Sequence, residues 1–151
     1  MADAELPDDL GELLVGIHRV IRRRLRQDLD GPRLRGAQVE LMRLVGSRPG
    51  IGVSAAAREL HLAGNSVSTL VNQLVTAGLL DRRTDPQDRR AVNLTITAAA
   101  AERLVDLDAR RSALVRQQVS GLSEQDRAAL ADAVPALRRL AESLHEDLEG
   151  A

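Results

Sequence analysis

Residues 53–97 constrain the fold more than any other stretch, because two helical runs, a glycine turn and an alternating strand follow one another within 45 residues. Ala55-Ala56-Ala57-Arg58-Glu59-Leu60 is a run of good helix formers, with Ser54 the expected N-cap. His61-Leu62-Ala63-Gly64 closes it, and Gly64 is the residue expected to turn the chain. Gly64 or Asn65 should then cap a second helix that ends at Gly78, a C′ glycine. Val67, Leu70, Val71 and Leu74 form one apolar stripe along it. The opposite face carries Asn65, Ser66, Ser68, Thr69, Asn72 and Gln73. An ordinary solvated face is richer in Glu and Lys. Uncharged side chains that donate and accept suit the edges of bases in a DNA major groove, where Asn and Gln pair bidentately with adenine. The bland alternative is a solvated helix face.

Beyond Gly78, Leu80-Asp81-Arg82-Arg83 leads into Thr84-Asp85-Pro86-Gln87-Asp88-Arg89-Arg90. Asp85-Pro86 is a turn signal. Val92, Leu94 and Ile96 then alternate with Asn93, Thr95 and Thr97, the period of a half-buried strand. The segment therefore predicts a β-hairpin with Arg82, Arg83, Arg89 and Arg90 near its tip or base, and Asp88 placed to hold Arg90. Inserted arginines suit the negative potential of a narrow minor groove. A solvated hairpin with local ion pairs is the alternative. Helix, turn, helix and charged hairpin in this order describe a winged helix-turn-helix, and a short extra strand at Ile51-Gly52-Val53 would complete its sheet.

The stretch Gly78-Leu79-Leu80, Arg82, Asp85-Pro86, Asp88, Arg90-Ala91, Leu94 and Ile96-Thr97 resembles the recognition-helix end and wing of the MarR family of regulators. By motif the resemblance covers roughly residues 36–100. It implies a homodimer that binds a pseudo-palindromic operator in double-stranded DNA. It also implies that Arg90 enters the minor groove, oriented by Asp88. One departure stands out: family members often carry Arg where this chain has Thr69 and Gln73, which implies readout less directed at guanine. The rival reading is a winged-helix module used for protein–protein contact.

Charge agrees with DNA only when taken locally. The net charge of the 151 residues is −1, and all 21 basic residues are Arg. Residues 1–12 hold five acids and residues 142–151 hold four, neither with any Arg. The stretch between them has 21 arginines against 13 acids, a net of +8. A local positive footprint is what phosphate contact requires. The absence of Cys excludes disulfides, thiolate metal sites and a Cys nucleophile. No glycine-rich phosphate loop and no Ser/His/Asp cluster point to catalysis. His18, His61 and His145 lie far apart in sequence, so neither a metal nor another cofactor is expected. Without a signal peptide or a long apolar run, the expected location is cytoplasmic, with no membrane contact.

Helices should flank the module on both sides. Residues 8–30 form the first, striped by Leu10, Leu13, Ile17 and Ile21 and ending in Arg22-Arg23-Arg24. Residues 36–47 form a buried second helix. Thr97 should cap a long helix from Ala98 to about Ser120, and Ser123-Glu124-Gln125-Asp126 should open a last helix reaching about Leu148. Leu130, Val134, Leu137, Leu140 and Leu144 give that helix a near-heptad seam, which Pro135 either kinks or splits. The expected fold is mainly α with a small β-hairpin wing. Residues 36–97 would be the winged helix-turn-helix, 98–121 a linking helix, and 1–30 with 122–151 a helical dimerisation region using Leu10, Leu13, Ile17, Leu130, Val134, Leu137 and Leu144. A small-molecule effector bound near the dimer base would change the spacing of two recognition helices. Arg19 or Arg22 is the expected partner if that effector is an anion.

Overall fold

A left-handed turn at Gly78 joins the two halves of the sequence motif. In the computed structural model, which describes residues 2–27, 34–84 and 92–149, Gly78 has φ +70. Its N–H donates to Val75 O at 3.0 Å, and the next N–H, of Leu79, donates to Leu74 O at 2.8 Å. This double bond satisfies carbonyls that a helix end leaves orphaned, and it sets Leu79 against Leu74 in the core.

The elements are α1 (Ala2–Gln27), α2 (Gly36–Ser47), β1 (Ile51–Gly52), α3 (Val53–Glu59), α4 (Gly64–Thr76), β2 (Leu80–Thr84), β3 (Val92–Ile96), α5 (Ala98–Ser120) and α6 (Glu124–Glu149). The chain divides into two units, residues 1–111 and 112–151, with the boundary inside α5.

In the first unit the sheet is antiparallel, in the order β1-β3-β2. Ile51 pairs with Leu94, and Leu80, Arg82 and Thr84 pair with Ile96, Leu94 and Val92. The core is aliphatic throughout. Leu41, Met42 and Val45 of α2, Val67, Val71 and Leu74 of α4, Leu80 of β2 and Leu94 of β3 are at most 1% exposed. Ala56 and Ala57 let α3 approach closely, and Ala100 brings in the start of α5. No polar side chain is buried among the described residues. Thr97 joins wing to α5: its hydroxyl donates to Gly78 O at 2.8 Å and accepts from Ala100 N–H at 3.2 Å.

Five local expectations are corrected. The first helix begins at Ala2, not at residue 8. Pro7 sits within it, where the cost of its missing N–H is confined to one carbonyl near an open end. Helix α3 is capped by Gly52, so Ser54 falls inside its first turn. The residue that turns the chain between α3 and α4 is His61, with φ +50, rather than Gly64. His61 N–H donates to Arg58 O at 3.1 Å and Leu62 N–H to Ala57 O at 3.0 Å, the same double bond made at Gly78. Gly64 becomes the first residue of α4, and Ala63 is the N-cap. Asn65 instead receives the N–H of Ser66 at 2.8 Å, a local bond typical of Asn at helix starts. Val53 belongs to α3, so the extra strand has two residues.

In the second unit, α6 runs unbroken through Pro135, which excludes the split. Ser123 opens it by accepting from Asp126 N–H at 3.0 Å while its own hydroxyl donates to the Asp126 carboxylate at 2.6 Å. Leu130, Val134 and Leu144 of α6 are 44%, 49% and 57% exposed, and Leu137 is half-buried. Likewise, within the first unit, Leu13 and Ile17 of α1 are 61% and 55% exposed, with Leu10 half-buried. No helix among the described residues is long and apolar enough to cross a membrane.

Candidate nucleic-acid interface

Burying Val67, Val71 and Leu74 turns the opposite face of α4 outward. Asn65, Ser66, Ser68, Thr69, Asn72 and Gln73 are all exposed on it. Helix α4 contains no charged residue. Four of these side chains are held by bonds to neighbouring groups. Ser68 Oγ donates to Gly64 O at 2.9 Å, and Thr69 Oγ1 donates to Asn65 O at 3.0 Å. Arg82 Nη1 of β2 donates to Asn72 Oδ1 at 2.9 Å. Gln38 Nε2 of α2 donates to Gln73 Oε1 at 3.0 Å.

The expected wing residues divide. Arg82 and Arg83 are exposed on β2, and Arg82 reaches α4 through Asn72. Asp88, Arg89 and Arg90 lie outside the described residues. Sequence reasoning did not single out Gln38, which is 35 positions from Gln73. Its one legible signal is its place as the third residue of α2, where its side chain accepts from Arg35 N–H at 2.8 Å.

A second feature was also missed. Arg43 of α2 grips Asp108 of α5 with both terminal nitrogens, Nη1 donating to Oδ2 at 3.0 Å and Nη2 to Oδ1. Arg111 adds a bond to the same carboxylate at 2.7 Å. Hydrogen bonding to Arg43 lowers the Asp108 pKa, opposed by partial desolvation and reinforced by the positive charges of Arg43 and Arg111. The Arg43 pKa is raised by the same bond.

Beside this cluster lies a cavity of about 270 Å³. Its polar lining is His18, Arg22, Glu40, Arg43 and Arg111, and its apolar lining includes Ile21, Leu25, Val39 and Leu107. Gly36 makes room for Arg22: a Cβ there would stand 2.7 Å from the Arg22 guanidinium. Arg22, one of the two expected anion partners, lines the cavity, and Arg19 does not. Among the described residues no group of three or more His, Asp or Glu is placed to hold a metal ion.

A comparison with curated protein sequences finds no significant match. Solved structures match along almost the whole chain. FabT of Streptococcus pneumoniae, solved in complex with DNA, is 24% identical, with TM-score 0.68 over 91% of this chain and 98% of its own. YusO of Bacillus subtilis is 20% identical, with TM-score 0.73 over 92% and 98%. PcaV of Streptomyces coelicolor, a transcriptional regulator solved with its natural ligand, is 21% identical, with TM-score 0.61 over 93% and 95%. These likenesses establish the fold. The family model described as MarR family matches residues 34–91, the segment that contains α2, β1, α3, α4 and β2 and stops short of β3. The chain has the winged helix-turn-helix fold of these structures, and its residues 34–91 resemble the MarR family.

Proposed function

We propose that the chain is a sequence-specific DNA-binding transcription regulator, acting as a homodimeric repressor on a pseudo-palindromic operator. The observation that carries this reading is the exposed face of α4, uncharged and lined with amides and hydroxyls, beside the exposed arginines of β2. Such a face offers hydrogen bonds to base edges, and the arginines offer charge to phosphate. Arg82, Arg83, Asp88, Arg89 and Arg90 would form the wing contact. The exposed apolar faces of α1 and α6 support a dimer, since stripes of this kind stay in water only at a cost of about 25 cal/mol per Å². Two recognition helices about 34–36 Å apart would read two half-sites.

The cavity supports release by a small anion. Three arginines converge on a space with apolar walls, a combination that orients a carboxylate on a largely hydrophobic body. Arg43 and Arg111 reach the cavity while both bond the Asp108 carboxylate, and Arg22 joins them in its lining. A ligand there would act on DNA affinity through any difference in how it binds the two spacings of the recognition helices.

The test is fluorescence anisotropy with duplex from the gene's own upstream region, against scrambled duplex, at two salt concentrations. Tight, salt-sensitive binding to the upstream duplex, with two protomers per site, is expected. Equal weak binding to both duplexes would favour a protein-interaction module instead.

A further inference from the structure

The polarity of the α4 surface is set by groups that can only donate. A backbone N–H and a guanidinium have no lone pair to offer. Arg35 N–H points at the Gln38 side chain at 2.8 Å, so Gln38 must present its oxygen there. Its NH₂ is then the end that faces Gln73, at 3.0 Å, and Gln73 must answer with its own oxygen. On the wing side Arg82 imposes the same choice on Asn72 at 2.9 Å. Both recognition amides therefore have their oxygen held by the fold and their NH₂ turned away from it. The hydroxyls are set in the opposite sense. Ser68 and Thr69 spend their protons on the carbonyls of Gly64 and Asn65, leaving lone pairs outward. This assignment follows from the chemistry of the anchors and not from which amide atom is labelled oxygen.

We propose that Gln38 and Arg82 are positioning residues that fix the hydrogen-bonding sense of the recognition helix, so that Asn72 and Gln73 read bases by donating while Ser68 and Thr69 read by accepting. The proposal rests on the DNA-reading function proposed above. Its consequence is a base preference. Bidentate pairing with adenine needs one amide to donate to N7 and accept from N6. An oxygen already engaged by Arg82 or Gln38 is a poorer acceptor, and the same bond polarises the amide so that its N–H groups donate better. Guanine offers two acceptors, N7 and O6, and suits a donating amide. Cytosine, which presents an amine, suits it least. The base facing Gln73 is therefore one that presents acceptors, guanine with N7 and O6 ahead of thymine with O4 alone. This differs from what the family resemblance implies, readout less directed at guanine for want of Arg at Thr69 and Gln73, and the experiment below decides between them.

Gln38→Glu is the diagnostic variant. A carboxylate at 38 still accepts from Arg35 N–H, but it offers Gln73 only another oxygen. Gln73 then turns its NH₂ inward and its oxygen outward, which favours adenine or cytosine. The experiment selects bound duplexes from a random library with the wild type, Gln73→Ala and Gln38→Glu. It then measures relative affinities of the enriched duplex and its single-base variants by anisotropy. Gln73→Ala identifies the base that Gln73 reads. At that base the wild type should prefer guanine, and Gln38→Glu should shift the preference toward adenine or cytosine by about tenfold. A purely structural role for Gln38 would weaken binding to all duplexes alike. Placing 7-deazaguanine at the same base tests the wild type alone and should weaken it by about tenfold, whether or not Gln38→Glu folds. Adenine preferred by the wild type, indifference to 7-deazaguanine, or a guanine preference unmoved in folded Gln38→Glu would each overturn the proposal. A wild type that enriches no motif would overturn the DNA-reading function and this inference with it.

Discussion

Replacing Asp108 by Asn tests whether the clasp between α2 and α5 is electrostatic. The variant keeps the shape of the side chain and removes its charge. In the wild type, Arg43 grips the carboxylate with two nitrogens and Arg111 adds a third bond at 2.7 Å. The side chains of Arg43, Asp108 and Arg111 are 39%, 40% and 49% exposed, so water screens the attraction heavily. Exposed pairs give 0.2–1 kcal/mol, and a bidentate fork with a second arginine belongs at the top of that range. Asp108→Asn should therefore cost about 1 kcal/mol near pH 7 at low salt. Because the folded pKa lies below the ordinary 3.8, the contribution is present above that value and is lost as pH falls through the folded pKa. Urea unfolding of both proteins at one concentration, followed by circular dichroism, should give the full difference at about pH 7 and at about pH 5. The difference should shrink at about pH 3 and in about 1 M salt. Equal stability at neutral pH would refute the clasp, and a difference untouched by acid would refute its electrostatic origin.

Leu94 is fully buried on the central strand, and Leu94→Ala should cost about 3 kcal/mol in urea unfolding. The two left-handed turns should respond with opposite signs. Gly78→Ala should destabilise by about 1 kcal/mol although nothing stands within 4 Å of its Cβ position, and His61→Gly should be neutral or stabilise by up to about 1 kcal/mol, both read from melting curves. Leu144→Asp should abolish the proposed dimer, read as monomer by analytical ultracentrifugation. Leu144 is 57% exposed, so the change falls on an exposed apolar face rather than on the chain's own packing, as it would at half-buried Leu137.

What sequence made legible is what short-range rules govern. Helix α2 spans the expected 36–47, because Gly36 and the Arg48-Pro49-Gly50 break bound an apolar run. The stripe of α4, the C′ role of Gly78, the alternation of β3 and the cap at Thr97 all follow from spacing. Errors arose where two local choices cost nearly the same. His61 and Gly64 can each turn a chain, and the structure uses His61 because the turn must leave Leu62 N–H within 3.0 Å of Ala57 O. The rest depends on residues remote in sequence. Arg43 meets Asp108 across 65 positions and Gln38 meets Gln73 across 35. No periodicity encodes such pairs. They appear only once α2 packs against α4 and β3 and meets α5.

The proposed function would assign affinity and specificity to different residues, and a measurement can divide them. Helix α4 has no charge, so in the proposed DNA complex neutralising phosphates would fall to arginines elsewhere, such as Arg83 on β2. Salt dependence of binding counts phosphates neutralised, whereas base discrimination counts contacts in the groove. Gln73→Ala should therefore flatten the preference at one base and leave the slope of log K against log salt unchanged. Arg83→Ala should do the reverse, weakening all duplexes alike and reducing the slope by about 1. A salt slope that falls in Gln73→Ala, or a base preference that changes in Arg83→Ala, would show that the two tasks share residues and that the uncharged face of α4 does not read sequence independently of the arginines.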